Sequence, residues 1–197
     1  MKITHVETLI SRGPFANSNE WRVLRNRIHA AIRAVDWPQG TGKFIIYPES
    51  GKSRGKGSGV KLIKVSLMDE LKRQGWTLQA DGGNLGDIDA QLSLKQGKVV
   101  LEWETGNVSS SHRSINKMAL LLRQKKCIAG ILVVPTKEFS KFLTDRVGNF
   151  QELMPYLPLW QCIPCKQGIL EIVVIKHDGT SLDVPRIPKG TDGRALG

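Results

Sequence analysis

Residues 99–113 of this chain read Val99-Val-Leu-Glu102-Trp-Glu104-Thr-Gly-Asn107-Val-Ser109-Ser-Ser-His-Arg113, and they decide the fold. The first part alternates as a strand, so Glu102 and Glu104 lie on one face and Trp103 on the other. Thr105-Gly106-Asn107 breaks the strand, and one of the serines 109–111 is expected to cap the helix that follows. Carboxylates at the end of a buried strand, beside a helix N-terminus, are unusual for pure scaffolding and predict a functional site.

A third carboxylate comes from the strand immediately upstream, which alternates apolar and polar residues with Asp89 on the polar face. A turn at Gln96-Gly97 would place Asp89 opposite Glu104, whereas a turn at Lys95-Gln96 would place it opposite Glu102. Opposed residues of a hairpin have Cβ atoms roughly 5 Å apart. Either register therefore gathers the three acids on one face.

Three carboxylates at this spacing repel one another, and something must offset the repulsion. A hard divalent cation such as Mg²⁺ fits, because it takes carboxylate oxygens together with water and phosphate oxygens. Such an ion could polarise a phosphodiester and lower the pKa of a bound water. The alternative is a set of solvated acids on an exposed strand.

The overall charge points to a polyanionic partner. The 197 residues carry 29 Lys and Arg against 18 Asp and Glu, a net charge of +11, which is typical of proteins that bind nucleic acid or an anionic membrane surface. No apolar run approaches the length of a membrane span, and the N-terminus lacks a signal-peptide core. We expect a soluble cytoplasmic protein with one domain over 1–197, whose residues 183–197 form an extended basic arm.

The remaining pattern predicts a mixed sheet with helices on both sides, an α/β fold. Helical spacing predicts helices, and apolar runs predict buried strands. The expected helices are 17–35, 60–74, the one after Asn107, a short one from 135 to 142, and one over 145–154 capped by Thr144; the expected strands are 43–47, 88–94, 99–104, 128–134 and 169–175.

Three other signals are weaker. The basic glycine-rich loop 51–59 has the wrong spacing for a nucleotide-binding loop, so it is interpreted as a mobile loop or a contact to nucleic-acid backbone. Cys162-Ile-Pro-Cys165 has zinc or redox spacing but lacks two further good ligands, which favours ordinary packing. His112 follows three serines without a nucleophile-elbow motif, so a Ser–His hydrolase is disfavoured.

Two predicted helix starts carry side chains suited to reading bases. Asn107 and Arg113 flank the first turn of one helix, and Asp145 and Arg146 occupy the start of another. Asn and Arg bind base edges bidentately, and Asp can accept a hydrogen bond from cytosine. The alternatives are a helix cap and an intrahelical ion pair.

Three segments of the chain resemble the BamHI family of type II restriction endonucleases: 102–117, 143–156 and 184–193. The resemblance implies the restriction-endonuclease-like PD-(D/E)xK fold, a homodimer, and Mg²⁺-dependent hydrolysis of double-stranded DNA. It further implies cleavage of the palindrome GGATCC after the first G, leaving 5′-phosphates, and a cognate DNA methyltransferase in the same system. A catalytically silent DNA-binding protein of the same fold and a nuclease of different specificity are the alternatives.

The resemblance also implies roles for particular residues. Asp89 and Glu102 match metal ligands, and with Glu104 they form the catalytic set; Glu104 stands where most nucleases of this fold carry a lysine. The implied base-reading residues are Asn107, Ser109, Arg113, Asp145 and Arg146. The implied minor-groove or backbone contacts are Lys64, Asp192, Gly193 and Arg194.

Overall fold

The computed structural model describes residues 1–53, 55–144 and 146–189. In chain order its elements are β1 (Lys2–Arg12), α1 (Asn19–Ala34), β2 (Ile45–Ile46), α2 (Lys61–Arg73), β3 (Thr77–Ala80), β4 (Ile88–Leu94), β5 (Gly97–Trp103), α3 (Val108–Arg123), β6 (Ala129–Pro135), α4 (Lys137–Ser140), α5 (Phe150–Leu153), α6 (Leu157–Gln161), β7 (Gly168–Lys176) and β8 (Gly179–Thr180). Short 3₁₀ turns lie at Phe15–Asn17, Gly83–Leu85 and Met154–Tyr156.

A six-stranded mixed sheet, in the order β1-β7-β6-β5-β4-β3, organises the molecule. Strands β5, β6 and β7 run parallel in the centre, while β1, β4 and β3 pair antiparallel toward the edges. All seven residues of β6 are buried, as expected for a parallel strand covered on both faces. Strands β2 and β8 form a separate parallel pair.

Helices cover both faces of this sheet, which confirms the predicted α/β architecture. Alternate residues of β5 divide between two apolar clusters: Val99, Leu101 and Trp103 pack with α1 and α2, and Val100 packs with α3. The helix predicted over 17–35 is α1, whose N-cap Ser18 accepts a hydrogen bond from the Trp21 amide at 3.0 Å. No helix in the described ranges is long and apolar enough to span a bilayer.

The hairpin between β4 and β5 decides between the two registers left open by the sequence. Ala90 pairs with Leu101 and Leu94 with Gly97, so Lys95-Gln96 form the turn, and Asp89 lies opposite Glu102. The turn at Gln96-Gly97 is wrong. Gly97 is instead the first residue of the strand at φ +144°, and a Cβ there would lie 2.7 Å from the Ile128 side chain.

Two helix-start predictions are also wrong. Asn107, rather than a serine, caps α3 by accepting a hydrogen bond from the Ser110 amide at 3.1 Å. The helix expected over 145–154 begins only at Phe150, where the Asn149 amide donates to Glu152 Oε2 at 2.9 Å, one of the two hydrogen bonds of a capping box. The Thr144 amide instead donates to the Ser58 carbonyl at 2.9 Å, so Arg146 lies in a loop before the helix.

The basic loop 51–59 is fastened to this loop. The amides of Gly51 and Ser58 donate to the carbonyls of Lys141 and Phe142, each at 2.8 Å. A Cβ on Gly51 would meet the Leu143 carbonyl oxygen at 1.5 Å, so only glycine allows the approach. The 51–59 segment is thus anchored at both ends.

The described part of the C-terminal arm lies against the same loop. The Gly59 amide donates to the Ile187 carbonyl at 2.8 Å, and the Ile187 side chain is buried. Arg186 binds Glu49 at 2.7 Å and lies over the Tyr47 ring. Residues 183–189 are therefore held to the body, and residues 190–197 lie outside the described ranges.

Candidate active site

A pocket of about 330 Å³ opens where β5 ends and α3 begins. Asp89 comes from β4, Glu102 from β5 and Glu104 from the turn after it, so the hairpin gathers the three predicted acids. Lys64 of α2 and Lys117 of α3 enter the same pocket from opposite faces of the sheet. The site therefore combines acids from the sheet with bases from both helical layers.

Asp89 is held by two donors. The Lys64 ammonium contacts its Oδ1 at 2.6 Å, and the backbone amide of Trp103 donates to its Oδ2 at 2.9 Å. Short hydrogen bonds from charged and backbone donors fix the orientation of a carboxylate. The Trp103 bond also fastens the acid of β4 to the end of β5.

Glu102 is the most deeply buried of the three acids, at 3% exposure. Burial raises its pKa from 4.5 to about 7; the hydrogen bond from Lys117 opposes this shift, and the neighbouring charge of Asp89 adds to it. Lys117 Nζ lies 2.6 Å from Glu102 Oε1 and also binds the Asp87 carbonyl. A further cation in the pocket would therefore stabilise the ionised form of this buried carboxylate.

Glu104 also lines the pocket and is less deeply buried than Glu102. Ser114 Oγ donates to its Oε1 at 2.6 Å. Burial raises the pKa of Glu104, the Ser114 bond lowers it, and the charge of Asp89 raises it again. A carboxylate whose pKa is raised toward neutrality is a better proton acceptor at physiological pH than an ordinary glutamate.

An exposed surface beside the acids carries the residues predicted to read bases. Asn107, Ser109 and Arg113 are exposed at the start of α3. The Gly148 amide donates to the Gly106 carbonyl at 2.8 Å, which places the loop that carries Arg146 against this helix start. Arg146 is exposed and has a left-handed backbone, φ +65°, a conformation that concentrates at functional sites.

Comparison with known proteins places this arrangement in a family. The family model for restriction endonuclease BamHI matches residues 1–194. This chain belongs to the BamHI restriction endonuclease family. It is 42% identical to the type II restriction enzyme OkrAI of Oceanobacter kriegii over the full length of both chains, and 41% identical to BamHI of Bacillus amyloliquefaciens over 49% of this chain and 43% of that one.

A solved structure supports the fold independently of sequence. Restriction endonuclease BglII, crystallised with a DNA 16-mer, superposes with a TM-score of 0.67 over 90% of this chain and 79% of that one at 13% identity. This confirms the restriction-endonuclease-like fold implied by the resemblance. The chain is a BamHI-family restriction endonuclease, and hence an enzyme that cuts DNA.

The remaining predicted contacts divide into three groups. Lys64 lies in the pocket and forms an ion pair with Asp89, and its contact with DNA stays a prediction. The roles of Asn107, Ser109, Arg113 and Arg146 also stay predictions. Asp145, Asp192, Gly193 and Arg194 lie outside the described residues.

The donor set fits the expected Mg²⁺. The ion usually takes one or two protein carboxylates and keeps water and phosphate oxygens in its shell. Asp89 and Glu102, opposed across the hairpin, supply two such carboxylates. Within the described ranges, no group of three or more His, Cys, Asp or Glu side chains could hold an ion by itself.

Two contacts in the pocket were missed by the sequence reasoning, namely those of Ser114 and Lys117. The sequence did carry a signal for the second. Lys117 interrupts the apolar side of α3 just before Met118, and it is only 7% exposed. A lysine on a buried helical face requires a partner, although the sequence pattern does not say which residue that partner is.

Two of the three cysteines agree with the packing interpretation. Cys127 and Cys165 are buried, Cys162 is exposed, and all three are free thiols. Burial raises the pKa of Cys127 to about 12, which makes this thiol a poor nucleophile and metal ligand.

Proposed function

We propose that this enzyme hydrolyses double-stranded GGATCC after the first G, with Mg²⁺ as cofactor, and leaves 5′-phosphates. The observation that supports the proposal is the convergence of Asp89, Glu102 and Glu104 in one pocket beside an exposed helix start. The target sequence rests on the resemblance of the 102–117 and 143–156 segments to the BamHI family.

We assign each acid a role from the contacts that surround it. Asp89 and Glu102 would hold Mg²⁺, which when bound polarises the phosphodiester and activates a water molecule. Glu104 keeps Oε1 engaged with Ser114, so its Oε2 is the oxygen that orients the attacking water and accepts its proton. Lys64, with 40% of its side chain exposed, faces the substrate side and offsets the charge of the phosphate.

Sequence readout is assigned to the helix start and the loop beside it. Asn107 uses its amide oxygen as the α3 cap, so its amide nitrogen is the group that donates to a base. Ser109, Arg113 and Arg146 lie on the same exposed surface, and Asp145 joins them on the strength of the resemblance alone.

A twofold symmetric dimer would match the palindrome. A strip of exposed apolar side chains offers a surface for the second copy: Met154, Tyr156 and Leu159 are 50%, 47% and 66% exposed. Leu159→Glu should convert a dimer, at twice the 21.9 kDa chain mass, to a monomer in light scattering. Leu182→Glu, which changes an equally exposed leucine at 72%, is the matched control. If Leu159→Glu and Leu182→Glu are both monomeric, or both dimeric, the apolar strip is not the dimer interface.

The cleavage proposal is tested with two plasmids, one carrying a single GGATCC and one with that site changed by one base. Wild-type protein is incubated with Mg²⁺ or with EDTA, and the fragment ends are sequenced. Metal-dependent ends after the first G on the first plasmid alone are expected. Discrete ends elsewhere would overturn the assigned sequence, and cutting in EDTA would overturn the metal.

A catalytic-acid variant completes the experiment. Glu104→Gln should abolish cutting while binding of the cognate duplex in EDTA persists. Glu20→Gln, which alters an exposed acid on α1, is the matched control and should cut normally. Full activity of Glu104→Gln would remove Glu104 from the mechanism.

A further inference from the structure

Helix α3 carries two sets of polar side chains that face different parts of the molecule. Asn107, Ser109 and Arg113 are exposed on its first turns, whereas Ser114 and Lys117 are buried at 2% and 7% exposure. The first set faces the proposed DNA surface, and the second faces the acids. This division suggests that α3 has a functional role in addition to its packing role.

We propose that Ser114 and Lys117 are positioning residues that fix the carboxylates of Glu104 and Glu102, so that the helix that reads the bases also sets the catalytic acids. The inference rests on the proposed function for the identity of the base-reading side chains. The contacts that carry it are independent of any particular target sequence.

The two contacts have the same form. Ser114 Oγ lies 2.6 Å from Glu104 Oε1, and Lys117 Nζ lies 2.6 Å from Glu102 Oε1. Residues three apart share one face of a helix, so a single face of α3 contacts both acids. Hydrogen bonds to ionised groups are short and roughly twice as strong as neutral ones, which makes them suitable for fixing a side chain.

Packing alone does not account for Lys117. A buried ammonium must be paired and hydrogen-bonded, and an apolar residue of similar volume would often be as stable at such a position. Lys117 also binds the carbonyl of Asp87, in the loop that enters β4 two residues before Asp89. The lysine thus joins α3, the end of β5 and the entry to β4 at one point.

The part of α3 between the base-reading residues and Ser114 is short enough to move as a rigid body. At about 1.5 Å per residue, Ser114 lies only about 10 Å along the axis from the capping Asn107. Arg113 is the immediate neighbour of Ser114 in the chain and is exposed. Because hydrogen bonds to oxygen have donor–acceptor distances of about 2.5–3.2 Å, a shift of α3 by about 1 Å would release both acids, and a correct base contact would hold them.

The test compares Ser114→Ala and Lys117→Met with two matched controls. Ser181→Ala removes a hydroxyl that bonds Asp183, and Lys176→Met removes a paired lysine from β7. Each protein is assayed on the sequence that the wild-type enzyme is first shown to cut. Three quantities are measured: the single-turnover cleavage rate with Mg²⁺, the Kd for the cut duplex in EDTA, and the melting temperature.

The positioning variants should cleave about 10–100-fold more slowly, the loss typical of residues that orient metal ligands, while Kd in EDTA stays within twofold of wild type. The controls should change neither quantity. A wild-type cleavage rate in Ser114→Ala overturns the proposal, as does an equal loss of rate and of affinity. If Lys117→Met does not fold, Lys117→Arg takes its place, and Ser114→Ala still decides.

A second measurement tests the coupling itself. The single-turnover rate from the bound complex is compared between the cut duplex and one with a single base changed. In the wild-type enzyme the wrong base should slow cleavage of the bound complex, and in Ser114→Ala the two rates should converge. Unchanged discrimination in the variant would refute coupling through α3. Failure of wild-type protein to cut GGATCC would instead count only against the proposed target.

Discussion

The pKa of Glu102 gives a stability prediction that can be measured without substrate or metal. In the unfolded chain this acid ionises near 4.5, and in the folded protein burial raises the pKa to about 7. Below about pH 4.5 both states hold the proton, so the group contributes no penalty. As the pH rises toward 7 the unfolded state loses its proton first, so the folded state is progressively disfavoured. Above pH 7 the penalty is complete and constant.

The size of the effect follows from the difference between the two values. A gap of about 2.5 pH units, at about 1.36 kcal/mol per unit, corresponds to roughly 3 kcal/mol of the free energy of unfolding. The perturbation is Glu102→Gln, which keeps the shape of the side chain and removes its titration. Groups outside the pocket titrate alike in both proteins, so the quantity to compare is the change between pH 5 and pH 8 within each protein.

The assay is urea denaturation in EDTA at pH 5 and pH 8, followed by circular dichroism. The wild-type free energy of unfolding should fall by about 2.5 kcal/mol more than that of Glu102→Gln over this interval, because about 0.8 kcal/mol of the penalty is already present at pH 5. Glu20→Gln, an exposed acid on α1, should behave as wild type. Equal pH dependence in wild type and Glu102→Gln would refute the argument that burial dominates at this carboxylate.

Three further predictions concern the support around the site. Glu49→Gln removes the ion pair with Arg186 and should accelerate proteolysis within 183–189, measured against wild type by mass spectrometry; unchanged cleavage would contradict the anchoring. Gly59→Ala places a Cβ 2.0 Å from the Pro188 carbonyl oxygen and should release the same segment, which hydrogen exchange of its amides would report. Leu67→Ala at a fully buried position should cost about 2–5 kcal/mol in urea denaturation, and a smaller loss would mean that the core closes over the cavity.

The strand and helix around the acids could be predicted because their patterns are unambiguous. The period-2 pattern of β5 ends at a glycine, and α3 begins at once with a clear apolar stripe. The hairpin register could not be predicted in the same way, because both candidate turns keep Asp89 on the face of Glu102 and Glu104. Only the backbone pairing distinguishes them, and it places Gly97 in the strand at φ +144°.

The wrong helix start after β6 has a physical explanation. Thr144 is a good N-cap residue, and Asp145 next to it is typical of a first turn, so local propensity favoured a helix there. The backbone of Thr144 is instead engaged with Ser58 from a distant loop, and tertiary contact overrides propensity. The Asn149-to-Glu152 spacing of a capping box was present in the sequence and marks the true start.

The pairing of Lys117 with Glu102 could not be derived from single-sequence patterns. Periodicity identifies a buried position on a helix, but it does not say which strand lies beneath that position. The parallel pairing of β5 with β6, and the packing of α3 on β6, bring Lys117 over Glu102. Sequence patterns therefore located the acids, and topology supplied their partners.

The charge balance of the pocket explains how an acid cluster can face DNA at all. Three carboxylates would repel a phosphate, and the overall charge of +11 lies too widely spread to cancel them locally, because exposed charges are screened beyond about 10 Å. Lys64 and Lys117 make direct contacts with two of the acids, and the charges of Lys64 and Arg113 partly oppose the rise in pKa that burial causes at the third, Glu104. With all six groups charged, the local sum is zero, so the pocket neither repels the phosphate nor binds it strongly. A divalent cation would then make the site net positive when the scissile phosphate is present, which links productive binding to metal occupancy rather than to the protein's charge alone.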